Sequence, residues 1–222
     1  MTKTKLSEFR EAVYQNVVWR PAAILDLVDA LTIAGHVSSP VALSESQLFR
    51  RKFSSVYDAL VHGELSADLK ALFSDSQDAS WETIGGYEIH AIDATPNERM
   101  SAETLADRGV LKAQQKELVR YGHKYSWLVR LVQSGTSWVA PEEIERIGTA
   151  TTDTKVAAQQ VKDLAIRNKR LKVITADSRY RDQHFLGVFA DLENTFALVR
   201  LQNNQKFSQE PEPKPIGSRG AP

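Results

Sequence analysis

The chain of 222 residues contains no cysteine. That removes a disulfide framework, a thiolate zinc site and a thiol nucleophile, and it is compatible with a reducing cytosol. Long apolar runs are missing too. No stretch approaches the roughly 20 residues needed to span a bilayer. The opening Met1-Thr2-Lys3-Thr4-Lys5-Leu6 lacks the apolar centre of a signal peptide. The sequence therefore predicts a cytoplasmic protein with no membrane partner. There is no excess charge of either sign: 28 basic and 28 acidic side chains give a formal net charge of zero, whereas a dedicated nucleic-acid module is usually basic. Several catalytic signatures are absent. The histidines (His36, His62, His90, His123, His184) form no HxH or HExxH pattern, which argues against a zinc hydrolase. No Walker pattern occurs, and Gly85-Gly86 precedes a strand where a phosphate cradle would follow one. Ser178 is not set in a Gly-x-Ser-x-Gly elbow. Nothing points to a small-molecule substrate.

What remains is an ordinary globular composition, 42% hydrophobic and 25% charged, sufficient for a real core. Residues 1–80 read as helical. Pro21 and Gly35 bracket one helix in the usual proline-in, glycine-out order. A second, after Ser44 or Ser46, steps through Phe49, Phe53, Val56, Tyr57 and Leu60 to Gly63 and carries Arg50, Arg51 and Lys52 on its other face. A third, short helix starts at Ser66 with Asp68 in its first turn. Polar residues 74–80 mark a boundary.

From Trp81 the periodicity changes. Tyr87–Ala94 is strand-like, and Thr95-Pro96-Asn97 reads as a turn. Residues 101–120 read as mostly loop. Tyr125, Trp127, Val129 and Leu131 alternate with polar residues, the signature of a half-buried strand. Residues 137–147 form a further strand around Pro141. Thr152-Asp153-Thr154 caps a helix with the apolar stripe Val156, Ala157, Val161, Leu164 and Ala165. The Asp177 strand, a helix with Phe185, Leu186 and Phe189, and a strand 196–201 follow. Three strands, then strands reached through helices, predict an α/β fold with a mixed (α+β) sheet. Residues 206–222 are proline-rich and read as a disordered tail. The tryptophans Trp81, Trp127 and Trp138 are expected in the core.

The chemistry concentrates on two carboxylates. Asp93 closes the apolar run Ile89-His90-Ala91-Ile92, and Asp177 closes Val173-Ile174-Thr175-Ala176. Strand ends are where open α/β sheets place ligands. If the helical crossover sets the two strands side by side and parallel, both acids lie at one end, where they can share Mg²⁺ or Mn²⁺. His90, three residues before Asp93, points to the opposite face; His123 reads as a surface residue. Six basic residues between Lys155 and Lys172 (Lys155, Lys162, Arg167, Lys169, Arg170, Lys172) read as a solvated face or, alternatively, a phosphate-facing edge.

Four segments in order carry a resemblance: Ala91-Ile92-Asp93-Ala94-Thr95, Gly122-His123-Lys124-Tyr125-Ser126, Thr151-Thr152-Asp153-Thr154-Lys155 and Thr175-Ala176-Asp177-Ser178-Arg179-Tyr180. Together they resemble the DDE transposases of bacterial insertion sequences over residues 10–215, and the helical front is similar to one branch of that family. The resemblance implies a ribonuclease H-like core over residues 81–205, preceded by the helical region 1–80. It implies a Mg²⁺- or Mn²⁺-dependent, nucleoid-associated enzyme that self-associates and cuts and joins double-stranded DNA at transposon ends. Asp93 and Asp177 correspond to the first and second acids. The family's third acid, a glutamate, lies on a helix well beyond the last core strand. Glu210 and Glu212 stand in the proline-rich tail and are not assigned to it, so the chain is expected to be a C-terminally truncated transposase with an impaired site. The alternative is a DNA-binding remnant or regulator of a full-length transposase, binding through the basic helix and Arg50-Arg51-Lys52.

Overall fold

The computed structural model describes residues 3–35, 37, 39–66, 68, 69, 72, 83–111, 119–134 and 137–201. The third predicted helix lies largely outside them, as do Trp81 and the proline-rich tail. The chain divides into two compact units, Met1–Glu88 with Trp127–Ile144, and Ile89–Ser126 with Glu145–Pro222. Among the described residues no helix is long and apolar enough to cross a membrane.

The first unit contains helices α1 (Lys3–Gln15), α2 (Pro21–Ile33), α3 (Pro40–Ser44) and α4 (Ser54–His62), with a two-stranded ribbon of β1 (Val17–Trp19) and β2 (Glu64–Leu65). Proline begins α2 and α3, where a missing N–H costs nothing. The core joins Ala23, Leu27 and Ala30 of α2 to Leu43, Phe49, Val56 and Ala59. The helix expected from Ser44 or Ser46 to Gly63 is instead confined to Ser54–His62. The stretch before it turns so that Arg50 and Arg51 reach Asp26, which is only 1% exposed within α2, at 2.8 and 3.2 Å. A buried carboxylate requires such partners. Two of the three cations in the candidate DNA-binding cluster are thus engaged in the fold.

The main sheet has six strands: β3 (Glu88–Glu98), β4 (Gly109–Leu111), β5 (Arg120–Ser134), β6 (Ser137–Ile147), β7 (Lys172–Ala176) and β8 (Thr195–Val199). Its order is β4-β5-β3-β7-β8, with β6 also paired to β5. β4 runs antiparallel to β5 and β7 parallel to β8, so the fold is mixed α/β with a mixed sheet. Helix α5 (Asp153–Arg167) connects β6 to β7. A 3₁₀ turn (Ser178–Tyr180), the short α6 (Gln183–Leu186) and a second 3₁₀ turn (Gly187–Asp191) connect β7 to β8.

Four details differ from the sequence reading. The predicted turn at Thr95-Pro96-Asn97 is strand, since β3 runs on to Glu98. Beyond it the Arg99 amide still donates to the Tyr121 carbonyl at 2.8 Å. Part of the expected 101–120 loop is the strand β4. The face of β5 is also reversed: Ser126, Leu128, Arg130 and Val132 are buried, while Trp127 and Leu131 are each 37% exposed. The buried polar members are matched. Ser126 Oγ donates to Gln160 Oε1 of α5 at 2.6 Å, and Arg130 Nη2 lies 3.3 Å from Glu88 Oε1. Partnered polar groups can occupy a buried face, and alternation alone cannot say which face that is. Trp138, expected in the core, is 82% exposed.

Candidate active site

The second unit places the two aspartates together. β3 and β7 are neighbours in the sheet. Thr175 Oγ1 donates to the His90 carbonyl at 3.0 Å. A few residues further along both strands, Arg179 joins the two carboxylates. Its Nη2 donates to Asp93 Oδ1 at 2.7 Å, and its Nε donates to Asp177 Oδ2 at 3.0 Å. The contacts advance in the same direction along both strands, as in a parallel pair. His90 is buried on the face opposite exposed Asp93, as alternation predicts.

Asp93 is not at the tip of its strand. β3 continues for five more residues because β5 accompanies it, while β7 ends at Ala176. Asp93 therefore faces the point where its neighbour stops. Its Oδ1 also accepts the Ala94 amide at 2.8 Å. Asp177 is the N-cap of the 3₁₀ turn, accepting the Arg179 amide on Oδ1 at 2.8 Å. The side chains of Asp93, Arg179 and Asp177 are 63%, 53% and 48% exposed, so the cluster faces solvent. Burial opposes the charge on Arg179, but the Asp177 hydrogen bond and the charges of Asp177 and Asp93 prevail and raise its pKa.

No known protein family matches this chain, and no curated protein matches it.

The two aspartates suit a hard divalent ion. Such an ion takes oxygen ligands and commonly uses one or two carboxylates, leaving the rest of its shell to water and phosphate oxygens. A cation, the Arg179 guanidinium, already bridges the pair. Among the described residues no three His, Cys, Asp or Glu side chains form a metal-holding group. Asp93 and Asp177 thus supply a partial set, and Glu210 and Glu212 lie outside the described residues.

One cavity adjoins the cluster at Arg179, and a second shares part of its wall. The larger, about 570 Å³, lies between the start of α5 and the turn after β7 and is lined by Lys124, Thr151, Asp153, Ser178, Arg179 and Arg181 among others. The second, about 230 Å³, shares Lys124, Thr151 and Asp153 and extends toward Asp107 and Gly122. Lys124 Nζ donates to both Asp153 oxygens at 2.8 Å, so the Gly122–Ser126 and Thr151–Lys155 segments meet at the wall common to both cavities. Tyr180 lies close by with its ring fully buried, packed edge-on to Phe185, and its hydroxyl has no hydrogen-bond partner among the described residues. Burial, followed by the charges of Asp93, Asp153 and Asp177, pushes its phenol pKa well up, while Arg179 opposes the shift.

Sequence reasoning identified the two carboxylates and missed the groups around them. Arg179 was legible as a cation two residues after a strand-end acid. Lys124 and Asp153 stood in quoted segments without a role. Nothing in the sequence marked Gln160 as the buried partner of Ser126. Most of the basic run is exposed, as the solvated-face reading expected: Lys155, Lys162, Lys169 and Arg170 lie at the surface. Lys172 is fully buried and donates to the Asn168 and Arg170 carbonyls, both at 2.6 Å. Lys169 donates to the Ala165 carbonyl at 3.4 Å. These cations serve the C-terminal end of α5, where free carbonyls favour positive charge.

Proposed function

We propose that this chain carries a ribonuclease H-like core of the DDE transposase type, which binds double-stranded DNA at insertion-sequence ends and performs Mg²⁺- or Mn²⁺-dependent phosphoryl transfer at Asp93 and Asp177. The observation that carries the reading is the meeting of these two carboxylates on adjacent strands, joined by one guanidinium. The sheet supports it: β6, β5 and β3 lie in sequence on one side of the site, β7 and β8 on the other, with helices on the connections into β7 and β8. This order of elements is compatible with the series that the family resemblance implies, with the short β4 as an addition.

In this reading Asp93 and Asp177 would hold the ion, which would supply positive charge to polarise the scissile phosphate and acidify the attacking group. The chain's own contribution is placement. The strands fix the two acids at one end of the sheet. Lys124, Arg179 and Arg181, together with the Thr151 and Ser178 residues, line a trough in which a sugar–phosphate backbone meets both cations and hydrogen-bonding groups. Opposed charges of Asp153 and Asp182 temper that attraction, consistent with a neutral chain that binds DNA through local contacts.

The test is cleavage and strand transfer on labelled duplexes carrying the element's terminal repeats, with Mg²⁺ or Mn²⁺. Asp93→Asn and Asp177→Asn should each abolish the residual activity. Activity indifferent to both substitutions would overturn the assignment. The second reading, a non-catalytic DNA-binding remnant or regulator, draws on Arg179 neutralising both acids. It requires salt-dependent binding to terminal repeats with no cleavage under any metal.

A further inference from the structure

We propose that Arg179 is a tethered counter-ion of the Asp93–Asp177 pair, displaced toward the adjoining cavity when a divalent cation enters and thereby made available to a DNA phosphate. The inference rests on the reading of Asp93 and Asp177 as metal ligands. Its own basis is the way the guanidinium is used. Arg179 does not fork onto one carboxylate, the arrangement that favours a permanent pair. It divides its donors, Nη2 to Asp93 and Nε to Asp177, and so bridges the two acids that would share a metal. The oxygen it contacts on Asp93 also accepts the Ala94 amide. With the guanidinium and the Ala94 amide both donating to Asp93 Oδ1, a divalent cation bound there would compete with Arg179 for that oxygen, and their like charges would repel.

Displacement is feasible because the cluster is about half exposed, where ion pairs are weak and reversible. It also has a defined destination. Arg179 lines the 570 Å³ cavity together with Arg181 and Ser178. Its backbone remains pinned by Asp177 Oδ1, so a change in the side chain alone moves the charge from the acids to the trough. Metal uptake and phosphate binding then favour one another, and the coupling is reciprocal.

The experiment uses the full chain and measures Mn²⁺ binding by electron paramagnetic resonance and by calorimetry, without reference to activity. Arg179→Gln should bind Mn²⁺ about tenfold more tightly than the wild type, as expected for loss of a competing half-exposed ion pair. Arg179→Lys should remain close to the wild type. In the wild type, Mn²⁺ should strengthen binding to duplex DNA and steepen its salt dependence by about one phosphate contact, and Arg179→Gln should lose that increment. If Asp93→Asn and Asp177→Asn lose Mn²⁺ but Arg179→Gln binds it no more tightly than the wild type, the counter-ion proposal fails and the metal-ligand reading stands. If Mn²⁺ binding survives both aspartate substitutions, or is absent from wild type and Arg179→Gln alike, the metal-ligand reading fails and the proposal fails with it.

Discussion

Replacing Tyr180 with phenylalanine should stabilise the protein. The Tyr180 ring is fully buried and packs against Phe185 with ring centroids 5.1 Å apart; phenylalanine keeps that contact. Only the hydroxyl is lost, and it has no hydrogen-bond partner among the described residues. An unsatisfied buried polar group costs about 1–3 kcal/mol. The vacated volume, on the order of 10 Å³, returns a penalty of about 0.2–0.3 kcal/mol at about 24 cal/mol per Å³. The net gain is therefore about 1 kcal/mol or more. Urea unfolding at pH 7 should show a higher midpoint with an unchanged slope. A second arm uses pH. The folded phenol has a pKa raised above its ordinary value of 10, chiefly by burial. Above about pH 10 the unfolded chain releases this proton while the folded chain retains it. Wild-type stability therefore falls as pH rises, by up to about 1.4 kcal/mol per pH unit from this group. The phenylalanine variant lacks that term, so its advantage should widen between pH 9 and 11. A variant less stable than wild type by 1 kcal/mol at pH 7, or two curves that stay parallel from pH 9 to 11, would refute the reasoning.

Arg130→Met should destabilise the protein by about 3–5 kcal/mol, because it breaks the buried ion pair with Glu88, whereas the double variant Glu88→Leu/Arg130→Met should recover part of the loss; a double-mutant cycle by urea unfolding measures both. Gly122→Ala should lower the melting temperature, since a Cβ there would sit 2.1 Å from the Asn97 carbonyl oxygen and 3.0 Å from the Arg99 nitrogen, both backbone atoms, an overpacking that costs about 1–3 kcal/mol or more. Asp107 is held down to a pKa of about 2, first by the Thr149 hydroxyl, then by the Thr149 amide and Arg146. Its folded pKa lies below its ordinary 3.8, so its contribution is present above about pH 4 and lost as pH falls toward 2. Asp107→Asn should flatten that part of the acid-denaturation curve, followed by circular dichroism.

The sequence was most legible where one signal decided one feature. Thr152-Asp153 at the head of an apolar stripe marked α5, and Pro21 marked the start of α2. Two apolar runs, each closing on an acid, marked the strands of the candidate site. It was least legible where polar groups are buried against distant partners. Ser126 needs Gln160, and Arg130 needs Glu88, before their face of β5 can be the inner one. No local pattern encodes that match, so the aromatic alternation of Tyr125, Trp127, Val129 and Leu131 pointed to the wrong side. The length of β3 was hidden for a similar reason. Pro96 reads as a stop, yet the strand persists beside β5. Arg50 and Arg51 looked like an external cluster because nothing in the heptapeptide around them announces the buried Asp26.

The overrun of β3 past β7 gives the two acids unequal mechanical footing. Asp93 stands inside an eleven-residue strand that continues beyond it, whereas Asp177 sits where a strand has just ended and a three-residue 3₁₀ turn begins. One carboxylate is set in the sheet like the fixed jaw of a vice; the other rides on the short turn that also carries Arg179. If an ion binds the pair, adjustment to its size would fall on the Asp177 side. The same small movement would shift the arginine, so under the proposed function the element that yields to the metal would also be the one that presents charge to the DNA.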